Sequence, residues 1–510
     1  MVGITHCAAL SGVEGLLLTV EADASEGFPQ FEMVGLLSSE VKEARERVRT
    51  AISNSGFELP VMKYTINLSP ADIRKAGNYY DLPIAMAVLA SVRLVDRAKI
   101  ASYYIFGELS LEGNLRPVSG TLSFVIAARK NGFTKCIVPM ENAKEAALID
   151  GMEIFGFSTL EECVKFFEDG ELADAYVSDP QDYLPEKGET TLDFSEIVGQ
   201  ENLKRAALVA CAGLHNMLMI GPPGSGKTML ARRIPTIMPP MSLEEAIEVT
   251  GIHSICGLVS PGHPLMTARP FRSPHHTSSA IALVGGGAVP RPGEMSLAHR
   301  GVLFLDELPE FGKQVLEVMR QPLEDRKVVI SRIHGSYVFP TSVMLVAAMN
   351  PCSCGYYPDR TKCKCNDSDV SRYLGRISRP ILDRIDITVE AGRIPYDVIS
   401  ARSGSITSAE LATRVCQAME IQRKRYDKEE ISFNSQLSGA LIKKYCRLGR
   451  EEEELMKQAY DTYDFSTRTY TRVLKVARTV ADLAGSDEIK AQHLSEAVRY
   501  RSLEHSIWKR

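Results

Sequence analysis

The fold of this chain is decided by the sequence Gly221-Pro222-Pro223-Gly224-Ser225-Gly226-Lys227-Thr228. The apolar run Met217–Ile220 before it predicts a buried strand, and the residues from Met229 onward have a helical pattern. A strand, a glycine-rich turn and a helix N-terminus together form a cradle of backbone N–H groups that binds polyphosphate. We therefore predict a P-loop, in which Lys227 contacts the β- and γ-phosphates and the Thr228 hydroxyl binds Mg²⁺. The alternative, a glycine- and proline-rich turn that matches by chance, does not explain the strand and helix beside it.

The composition is that of a globular protein without membrane segments. The chain has 510 residues, 45% hydrophobic and 24% charged, which predicts roughly two to four domains. Its formal net charge is -5, so any contact with DNA must come from local basic patches. No stretch approaches the roughly 18 unbroken apolar residues of a membrane span, and the N-terminus lacks the features of a secretion signal. We therefore predict a cytoplasmic protein, and eleven cysteines, an odd number, fit a reducing compartment.

Changes in residue pattern divide the chain into three parts and a linker. Residues 1–177 alternate short strand patterns with amphipathic helices such as Val41–Asn54, which predicts a compact α/β domain. Residues 178–192 are polar and contain prolines, as linkers do. Residues 193–394 alternate strands and helices, which predicts a parallel sheet covered by helices on both faces, and residues 395–510 are mainly helical.

A second strand pattern ends in two carboxylates. The apolar run Val302–Leu305 is followed by Asp306 and Glu307, at the strand end where parallel sheets bind ligands. We predict that Asp306 holds Mg²⁺, directly or through water, and that Glu307 orients and polarises the attacking water. An isolated run of this kind is common, but downstream of a P-loop it indicates hydrolysis.

A third strand pattern, Val343–Met349, ends on Asn350. A polar side chain at that place can contact the γ-phosphate and position water, which is the sensor-1 role in AAA+ proteins, and the whole segment resembles them. The alternative is that Asn350 serves only as a turn residue before Pro351.

Two arginine segments resemble further AAA+ elements. Within Arg379–Asp386, the sequence Leu-Asp-Arg-Ile-Asp resembles the arginine-finger segment of magnesium-chelatase and MCM ATPases. The resemblance implies that Arg384, or alternatively Arg379, reaches the γ-phosphate bound by the neighbouring subunit, whereas a surface salt bridge is the plainer reading. The segment Ser466–Leu474 resembles a sensor-2 helix, in which Arg468 would point at nucleotide; Arg472 is the less favoured alternative.

Several longer motifs resemble one family. They are Arg269–Thr277 (Arg-Pro-Phe-Arg-Ser-Pro-His-His-Thr), Gly285–Gly287, Pro292–Glu294 and Asn350–Cys352. Together with the P-loop and its partner carboxylates, they resemble the YifB/ComM family of magnesium-chelatase-like AAA+ ATPases, essentially from end to end. This resemblance implies a homo-hexameric ring motor with ATP and Mg²⁺ as cofactors. It also implies DNA as partner, since ComM members promote branch migration during natural transformation.

The inserts of the core fit such a motor. Residues 328–339 read as a β-hairpin, and six subunits would present its basic residues as rings around a pore, able to grip phosphates. An ordinary edge hairpin with solvated charges is the alternative. Small residues in 277–295 predict a second, projecting hairpin, and for His275-His276 we prefer pore contact or core polar bonding to a shared metal. The basic residues of the first hairpin are Arg326, Lys327, Arg332 and His334.

Four cysteines, at positions 352, 354, 363 and 365, form two close pairs in one loop. Cys352, Cys354, Cys363 and Cys365 suit a tetrahedral structural Zn²⁺, although Cys-x-Cys is tighter than the usual Cys-x₂-Cys spacing. Free or redox-active thiols are the alternative. A metal here would brace the segment between the predicted sensor 1 and the arginine finger.

The N-terminal domain resembles the Lon protease-like, or ribosomal S5 domain 2-like, fold. Tyr64–Pro70 and Lys75–Pro83 parallel the segment of Lon that carries its nucleophilic serine, and Tyr79 stands at the matched position. In Pro117–Leu122, which parallels the segment with the lysine, Leu122 stands instead. Without a nucleophile and a base we expect no proteolysis, and we predict a scaffold or a DNA-contacting collar.

Three functions follow from these patterns together with the family resemblance, which alone implies the action on DNA. The leading hypothesis is an ATP-driven hexameric motor that translocates on DNA, with helicase or branch-migration activity as its specific form. The second is a protein-remodelling ATPase whose degenerate protease-like domain binds polypeptide. A metal-chelatase motor subunit is the weakest, because the sequence offers no evidence of a porphyrin partner.

Overall fold

The computed structural model describes residues 2–179, 183, 192–332, 335–397 and 406–508. The N-terminal α/β domain contains nine strands and six helices among these residues. The strands are β1 (Val2–Ser11), β2 (Glu14–Ser25), β3 (Gln30–Val34), β4 (Lys63–Ser69), β5 (Tyr103–Ile105), β6 (Glu108–Leu109), β7 (Leu115–Arg116), β8 (Lys135–Pro139) and β9 (Glu153–Phe157). The helices are α1 (Ser39–Asn54), α2 (Asp81–Ser91), α3 (Arg97–Ile100), α4 (Thr121–Lys130), α5 (Met140–Ala146) and α6 (Leu160–Glu168).

A mixed seven-stranded sheet, in the order β3-β4-β2-β1-β5-β8-β9, organises this domain. In β4, buried and part-exposed residues alternate, because successive side chains of a strand point to opposite faces of the sheet. The predicted helix Val41–Asn54 lies within α1, where the Ser38 hydroxyl accepts a bond from the Val41 N–H and caps the helix.

The central part of the chain forms the core around the P-loop. Its strands are β10 (Met217–Ile220), β11 (Phe271–Arg272), β12 (Gly285–Gly286), β13 (Arg291–Pro292), β14 (Val302–Leu305), β15 (Lys327–Arg332), β16 (Gly335–Pro340), β17 (Met344–Met349) and β18 (Ile387–Glu390). Its helices are α7 (Glu201–Gly213), α8 (Lys227–Ile237), α9 (Leu243–Ile255), α10 (Ala280–Val284), α11 (Glu294–Leu297), α12 (Lys313–Val318), α13 (Arg320–Asp325), α14 (Asp367–Leu374) and α15 (Arg379–Leu382).

The core sheet has five strands in the order β11-β14-β17-β10-β18, and every pair is parallel. Both faces are covered, so the three central strands β10, β14 and β17 are apolar throughout. In β10, Met217 and Met219 pack into one hydrophobic cluster, and Leu218 and Ile220 pack into another on the opposite face. Since all five strands run the same way, their carboxyl ends meet at one edge, which confirms the predicted parallel sheet covered on both faces.

The C-terminal part is helical, as the sequence predicts. It contains α16 (Ser408–Arg425), α17 (Gly439–Tyr445), α18 (Arg450–Tyr463), α19 (Thr467–Leu483) and α20 (Ala491–Trp508). These helices share one hydrophobic cluster with α7, α8 and one face of the core sheet. In the part of the chain that the structure describes, none of the helices has the length and apolar character needed to cross a membrane.

Helix α9 attaches the core to the N-terminal domain, which the sequence did not predict. Its residues Ala246 and Val249 belong to the hydrophobic cluster of that domain. At its end, the Ser254 hydroxyl donates a 2.5 Å hydrogen bond to the buried carboxylate of Glu145. Burial raises the pKa of Glu145 to about 7. The two parts of the chain therefore share a packed interface with a titratable group inside it.

The predicted basic hairpin is present as β15 and β16, and it also contacts the N-terminal domain. Its apolar residues Val328, Ile330 and Phe339 pack with Val13, which lies in the turn between β1 and β2. At the neighbouring Gly12 (φ +67°), a Cβ would lie only 2.7 Å from the carbonyl oxygen of Val338. One side of the hairpin is thus buried, which a free pore loop would not require.

Two charged side chains of this hairpin are exposed, Lys327 on the face opposite Val328 and Ile330, and Arg332 next to the tip. The tip, with His334, lies outside the described residues. The second predicted hairpin, 277–295, instead contains the short helix α10 and only a two-residue pairing of β12 with β13. Most of the predicted linker, 180–182 and 184–191, likewise lies outside the described residues.

Candidate active site

The turn between β10 and α8 has the backbone conformation that a phosphate cradle requires. Gly224 and Gly226 have φ values of +75° and +85°, a region that side chains disfavour. At Gly221, a Cβ would lie 2.3 Å from the carbonyl oxygen of Ala391, so the close approach of β18 requires glycine there. Gly226 stands directly before α8, so the helix N-terminus faces the turn.

The Lys227 side chain is folded back over this turn. Its ammonium group donates to the carbonyl oxygens of Gly221 and Pro222, at 2.7 and 2.9 Å. Burial lowers the pKa of Lys227, and the nearby Asp306 carboxylate partly offsets that effect. A buried ammonium group whose hydrogen-bond partners are neutral oxygens is well placed to exchange them for phosphate oxygens, which carry charge.

The end of the P-loop and the residue after β14 meet, as the sequence predicts. The Thr228 hydroxyl donates a 2.7 Å hydrogen bond to Oδ2 of Asp306, which follows β14. The other Asp306 oxygen accepts a bond of 2.9 Å from the backbone N–H of Glu307. A hydroxyl and a carboxylate oxygen at this separation are the pair that binds Mg²⁺ in P-loop enzymes.

Asn350 stands at the carboxyl end of β17, next to β10 in the sheet. Its Oδ1 atom lies 3.4 Å from Nζ of Lys227. The side chain therefore faces the P-loop, which is the geometry that the sensor-1 prediction requires and a plain turn residue would not.

Two further residues reach this site: His276, for which the sequence suggested pore contact or core polar bonding, and Gln200, which sequence reasoning missed. Nδ1 of His276 lies 3.4 Å from Oε2 of Glu307, and its ring contacts the ring of His275, with centroids 4.1 Å apart and planes tilted by 33°. Gln200 donates from Nε2 to the carbonyl oxygens of Ser225 and Gly392, at 2.9 and 2.6 Å, and so ties the P-loop to the segment after β18. Neither sequence pattern indicates a contact with Glu307 or with the P-loop, because both residues reach the site through the folding of distant segments.

Comparison with known proteins gives matches along almost the whole chain. Residues 193–399 match the family described as magnesium chelatase, subunit ChlI; residues 20–142 match subunit ChlI of Mg-chelatase; and residues 405–501 match the ChlI C-terminal family. The protein YifB of Salmonella typhimurium is 42% identical over 505 residues, covering 99% of this chain and 98% of its own length. The competence protein ComM of Haemophilus influenzae is 40% identical over 510 residues, with the same coverage.

The chain belongs to the YifB/ComM family of magnesium-chelatase-like AAA+ ATPases. Two partial similarities accompany this result. Lon protease 3 of Sorangium cellulosum is 29% identical over 151 residues, which cover 28% of this chain and 18% of that protein. The DNA repair protein RadA of Escherichia coli is 36% identical over 89 residues, 18% of this chain and 19% of RadA.

In this YifB/ComM protein, Arg384 lies at the edge of the sheet opposite its own P-loop. The Arg384 carbonyl oxygen accepts a 2.8 Å bond from Asn216, which directly precedes β10, whereas the P-loop follows β10. The four residues of β10 separate the two places by about 13 Å. The guanidinium group of Arg384 pairs with Glu324 of α13 and donates a 3.1 Å hydrogen bond to the carbonyl oxygen of Pro380. The alternative finger, Arg379, is exposed on α15.

Arg468 lies at the same edge of the sheet. It is 66% exposed and its guanidinium group is 3.6 Å from the Asp383 carboxylate, one residue before Arg384. Arg472, one turn further along α19, lies 3.4 Å from Asp386. The structure thus brings the predicted sensor-2 and finger arginines together, and it places neither beside the P-loop of the same chain.

These arginines line a cavity of about 440 Å³. Burial lowers the pKa of two of its cations, Arg326 and Lys475. Two acidic residues, Glu324 and Asp386, face the same space, so positive charge is in excess. The cationic residues that line the cavity are Arg326, Arg384, Arg468, Arg472 and Lys475.

The four clustered cysteines of the core come together next to the P-loop. They lie in the loop between β17 and α14, and their sulfur atoms are all within 4.8 Å of one another. All four are free thiols. Among the described residues, these four cysteines form the group whose ligand atoms lie close enough together to hold one metal ion.

The position matched to the Lon serine is closed by packing. Tyr79 is buried, its ring lies 4.6 Å from that of Phe124, and burial raises its pKa to about 12. Leu122, at the position of the lysine, is also buried. A cavity of about 310 Å³ remains beside Tyr79, and Tyr337 of the basic hairpin forms part of its wall.

Proposed function

We propose that this protein is a Mg²⁺-dependent ATPase that assembles into a ring, with six subunits as the expected number, and uses ATP hydrolysis to move on DNA. The observation that carries the proposal is the hydrogen bond between Thr228 and Asp306, which joins the P-loop to the predicted magnesium carboxylate. Glu307, the next residue in the chain, is the general base, and Lys227 and Asn350 complete the proposed nucleotide site. Lys227 and Asn350 would bind the phosphates, and Glu307 would orient and polarise the attacking water. The metal, when bound, neutralises charge on the phosphates.

Assembly into a ring is supported by the position of the cationic cavity. Arg384 and Arg468 lie at the opposite sheet edge from their own P-loop, so a γ-phosphate they contact must belong to another subunit. An arginine supplied in trans would stabilise charge that develops on the transferred phosphoryl group. The excess of positive charge in the cavity fits such a contact.

Action on DNA is supported by the relatives and by the hairpin. One relative of nearly the same length is named a competence protein, and a partial match is named a DNA repair protein. The exposed residues Lys327 and Arg332 lie on one hairpin, where ring symmetry would repeat them around a central channel. Helicase or branch-migration activity is the specific form that we propose for this action.

A second candidate, protein remodelling, is favoured by one observation. The N-terminal domain, which has a partial match to Lon protease 3, keeps a cavity of about 310 Å³ at the degenerate protease position. Its walls are formed by both the domain and the core, and a polypeptide side chain of ordinary size would fit there.

The two candidates are separated by the substrate that stimulates ATP hydrolysis. Turnover is measured with single-stranded, forked and four-way-junction DNA, and with an unfolded protein. We expect stimulation by DNA, strongest with branched DNA, and none by unfolded protein. Failure of every DNA to stimulate turnover or to bind at moderate salt rejects the DNA motor, and stimulation by unfolded protein supports the second candidate.

A further inference from the structure

We propose that Cys352, Cys354, Cys363 and Cys365 bind one structural Zn²⁺ ion, and that this ion holds the loop after Asn350 against the P-loop. The inference has two parts, a metal site and a mechanical link from that site to the nucleotide. The second part rests on the proposed ATPase function, whereas the first does not.

The spacing of the sulfur atoms fits one tetrahedral metal. Cys352 Sγ lies 3.3 Å from Cys354 Sγ and 3.8 Å from Cys363 Sγ, and the last two are 3.5 Å apart. Zn–S bonds of about 2.3 Å in a tetrahedron place neighbouring sulfur atoms about 3.8 Å apart. An iron–sulfur cluster has several irons and sulfides between its thiolates and needs wider spacing. The distances therefore select a single four-coordinate ion.

The polar groups around the cluster also suit thiolates bound to a cation. The backbone N–H of Tyr357 donates to Cys352 Sγ at 3.4 Å, and the Ser353 hydroxyl lies 3.3 Å from Cys365 Sγ. Arg360 donates to the carbonyl oxygen of Cys365 at 2.8 Å and lies over the Tyr357 ring. Donors that fix the ligating groups from outside are a usual part of metal sites.

Apart from the cysteines, the loop buries no side chain of its own. In residues 351–366, the buried positions are two of the cysteines, Cys352 and Cys363, and Gly355. Ordering so many exposed residues costs conformational entropy, which a buried apolar core normally offsets. Binding of a metal by four thiolates supplies that stabilisation instead.

Gly355 is where this loop touches the P-loop. Its φ is +86°, and a Cβ at this position would lie 2.6 Å from Cδ of Pro223 and 3.8 Å from Cγ of Asn350. Gly355 directly follows Cys354, and Asn350 lies two residues before Cys352. An ion that fixes Cys352 and Cys354 therefore fixes both Asn350 and the loop surface on which Pro223 packs.

The metal site is tested by the metal content of the full-length protein. Mass spectrometry of protein purified without added chelator should find one zinc per chain, and Co²⁺ substitution should give the ligand-field bands of tetrahedral cobalt thiolate. Cys363→Ser should lose the metal, whereas Cys416→Ser, which removes an exposed thiol of α16, should keep it. Four freely reacting thiols without metal in the wild type, or one iron per chain, would overturn the assignment. The cobalt spectrum decides the question even if Cys363→Ser does not fold.

The mechanical link is tested by a variant that keeps all four thiols. Gly355→Ala should retain one zinc per chain but bind a fluorescent ATP analogue at least about tenfold more weakly, because its Cβ displaces Pro223. Gly132→Ala is the matched control: its φ is +84°, but no atom lies within 4 Å of the added Cβ. Unchanged nucleotide affinity in Gly355→Ala would overturn the link. Failure of the wild type to bind ATP would instead overturn the proposed function and leave the zinc count standing.

Discussion

Thr228 on the P-loop and Asp306 after β14 are joined by a hydrogen bond of 2.7 Å, although 78 positions separate them in the chain. The contact exists because β10 and β14 are parallel and both lie beside β17, so their carboxyl ends meet at one edge of the sheet. It shows that the P-loop and the acidic strand end form one site, in which the two oxygen groups that we propose as magnesium ligands are already paired.

Replacing Lys227 or Glu307 should separate nucleotide binding from hydrolysis. Lys227→Ala removes a charge-assisted contact to phosphate, so we expect ATP affinity to fall roughly 10- to 100-fold by calorimetry. Glu307→Gln should bind ATP as the wild type does, with turnover lower by about 100-fold or more, since a general base is lost. Equal ATP affinity in Lys227→Ala and wild type would contradict the role of Lys227.

His276 should affect turnover and leave ATP affinity unchanged. It lies 3.4 Å from the Glu307 carboxylate, which is 55% exposed, so the contact is a weak one. We expect His276→Ala to lower kcat roughly two- to fivefold without changing KM, because Glu307 loses a group that orients it. His275→Ala serves as control, and an equal effect of both substitutions would show that only ring stacking matters.

Arg384→Ala should give rings that bind ATP but hydrolyse it poorly. Loss of an arginine supplied in trans is expected to lower kcat by roughly 10³-fold. Rings mixed from Arg384→Ala and Glu307→Gln subunits should recover activity at those interfaces where an intact arginine faces an intact Glu307. Full activity in pure Arg384→Ala rings would remove this arginine from the site, and Arg379→Ala tests the alternative.

The basic hairpin should contribute to DNA binding through phosphates. Lys327→Ala and Arg332→Ala are each expected to lower the slope of log affinity against log salt by roughly one unit, and to weaken DNA of all sequences alike. Both side chains are exposed, so folding should be unaffected. Unchanged salt dependence in the double variant would indicate that the hairpin is an ordinary edge of the domain.

The interface between α9 and the N-terminal domain should become less stable as pH rises. Burial raises the pKa of Glu145 from 4.5 to about 7, so the folded state binds its proton more tightly than the unfolded state does. Stability from this group is therefore present at low pH and is lost between about pH 4.5 and 7, by about 3 kcal/mol in total. Glu145→Gln should remove this loss, since both Ser254 and Leu122 donate to Oε1, which glutamine keeps.

The loss of interface stability on ionisation of Glu145 is measured locally by hydrogen exchange of the Leu122 amide at pH 5 and pH 8. This measurement does not assume that the whole chain unfolds in one step. The exposed Glu141→Gln is the matched control and should keep the wild-type pH dependence. Equal protection of wild type at both pH values would contradict the prediction.

The sequence by itself determined the parallel core and most of its candidate nucleotide site. Each of these features is local: glycines that permit φ above zero at Gly224 and Gly226, and apolar runs that end in Asp306 or Asn350. Because parallel strands expose their carboxyl ends at one edge, the pattern was enough to place these groups together.

Contacts between distant segments were decided only by the tertiary structure. The pairing of His276 with Glu307, the packing of Gly355 on Pro223, and the position of Arg384 and Arg468 across the sheet from their own P-loop leave no periodic trace in the sequence. Two further contacts leave no such trace: the packing of the apolar face of α9 on the N-terminal domain, and the packing of the β15–β16 hairpin against Gly12. Local patterns record which face of a segment is apolar, but the partner of that face is chosen by the packing of the whole chain.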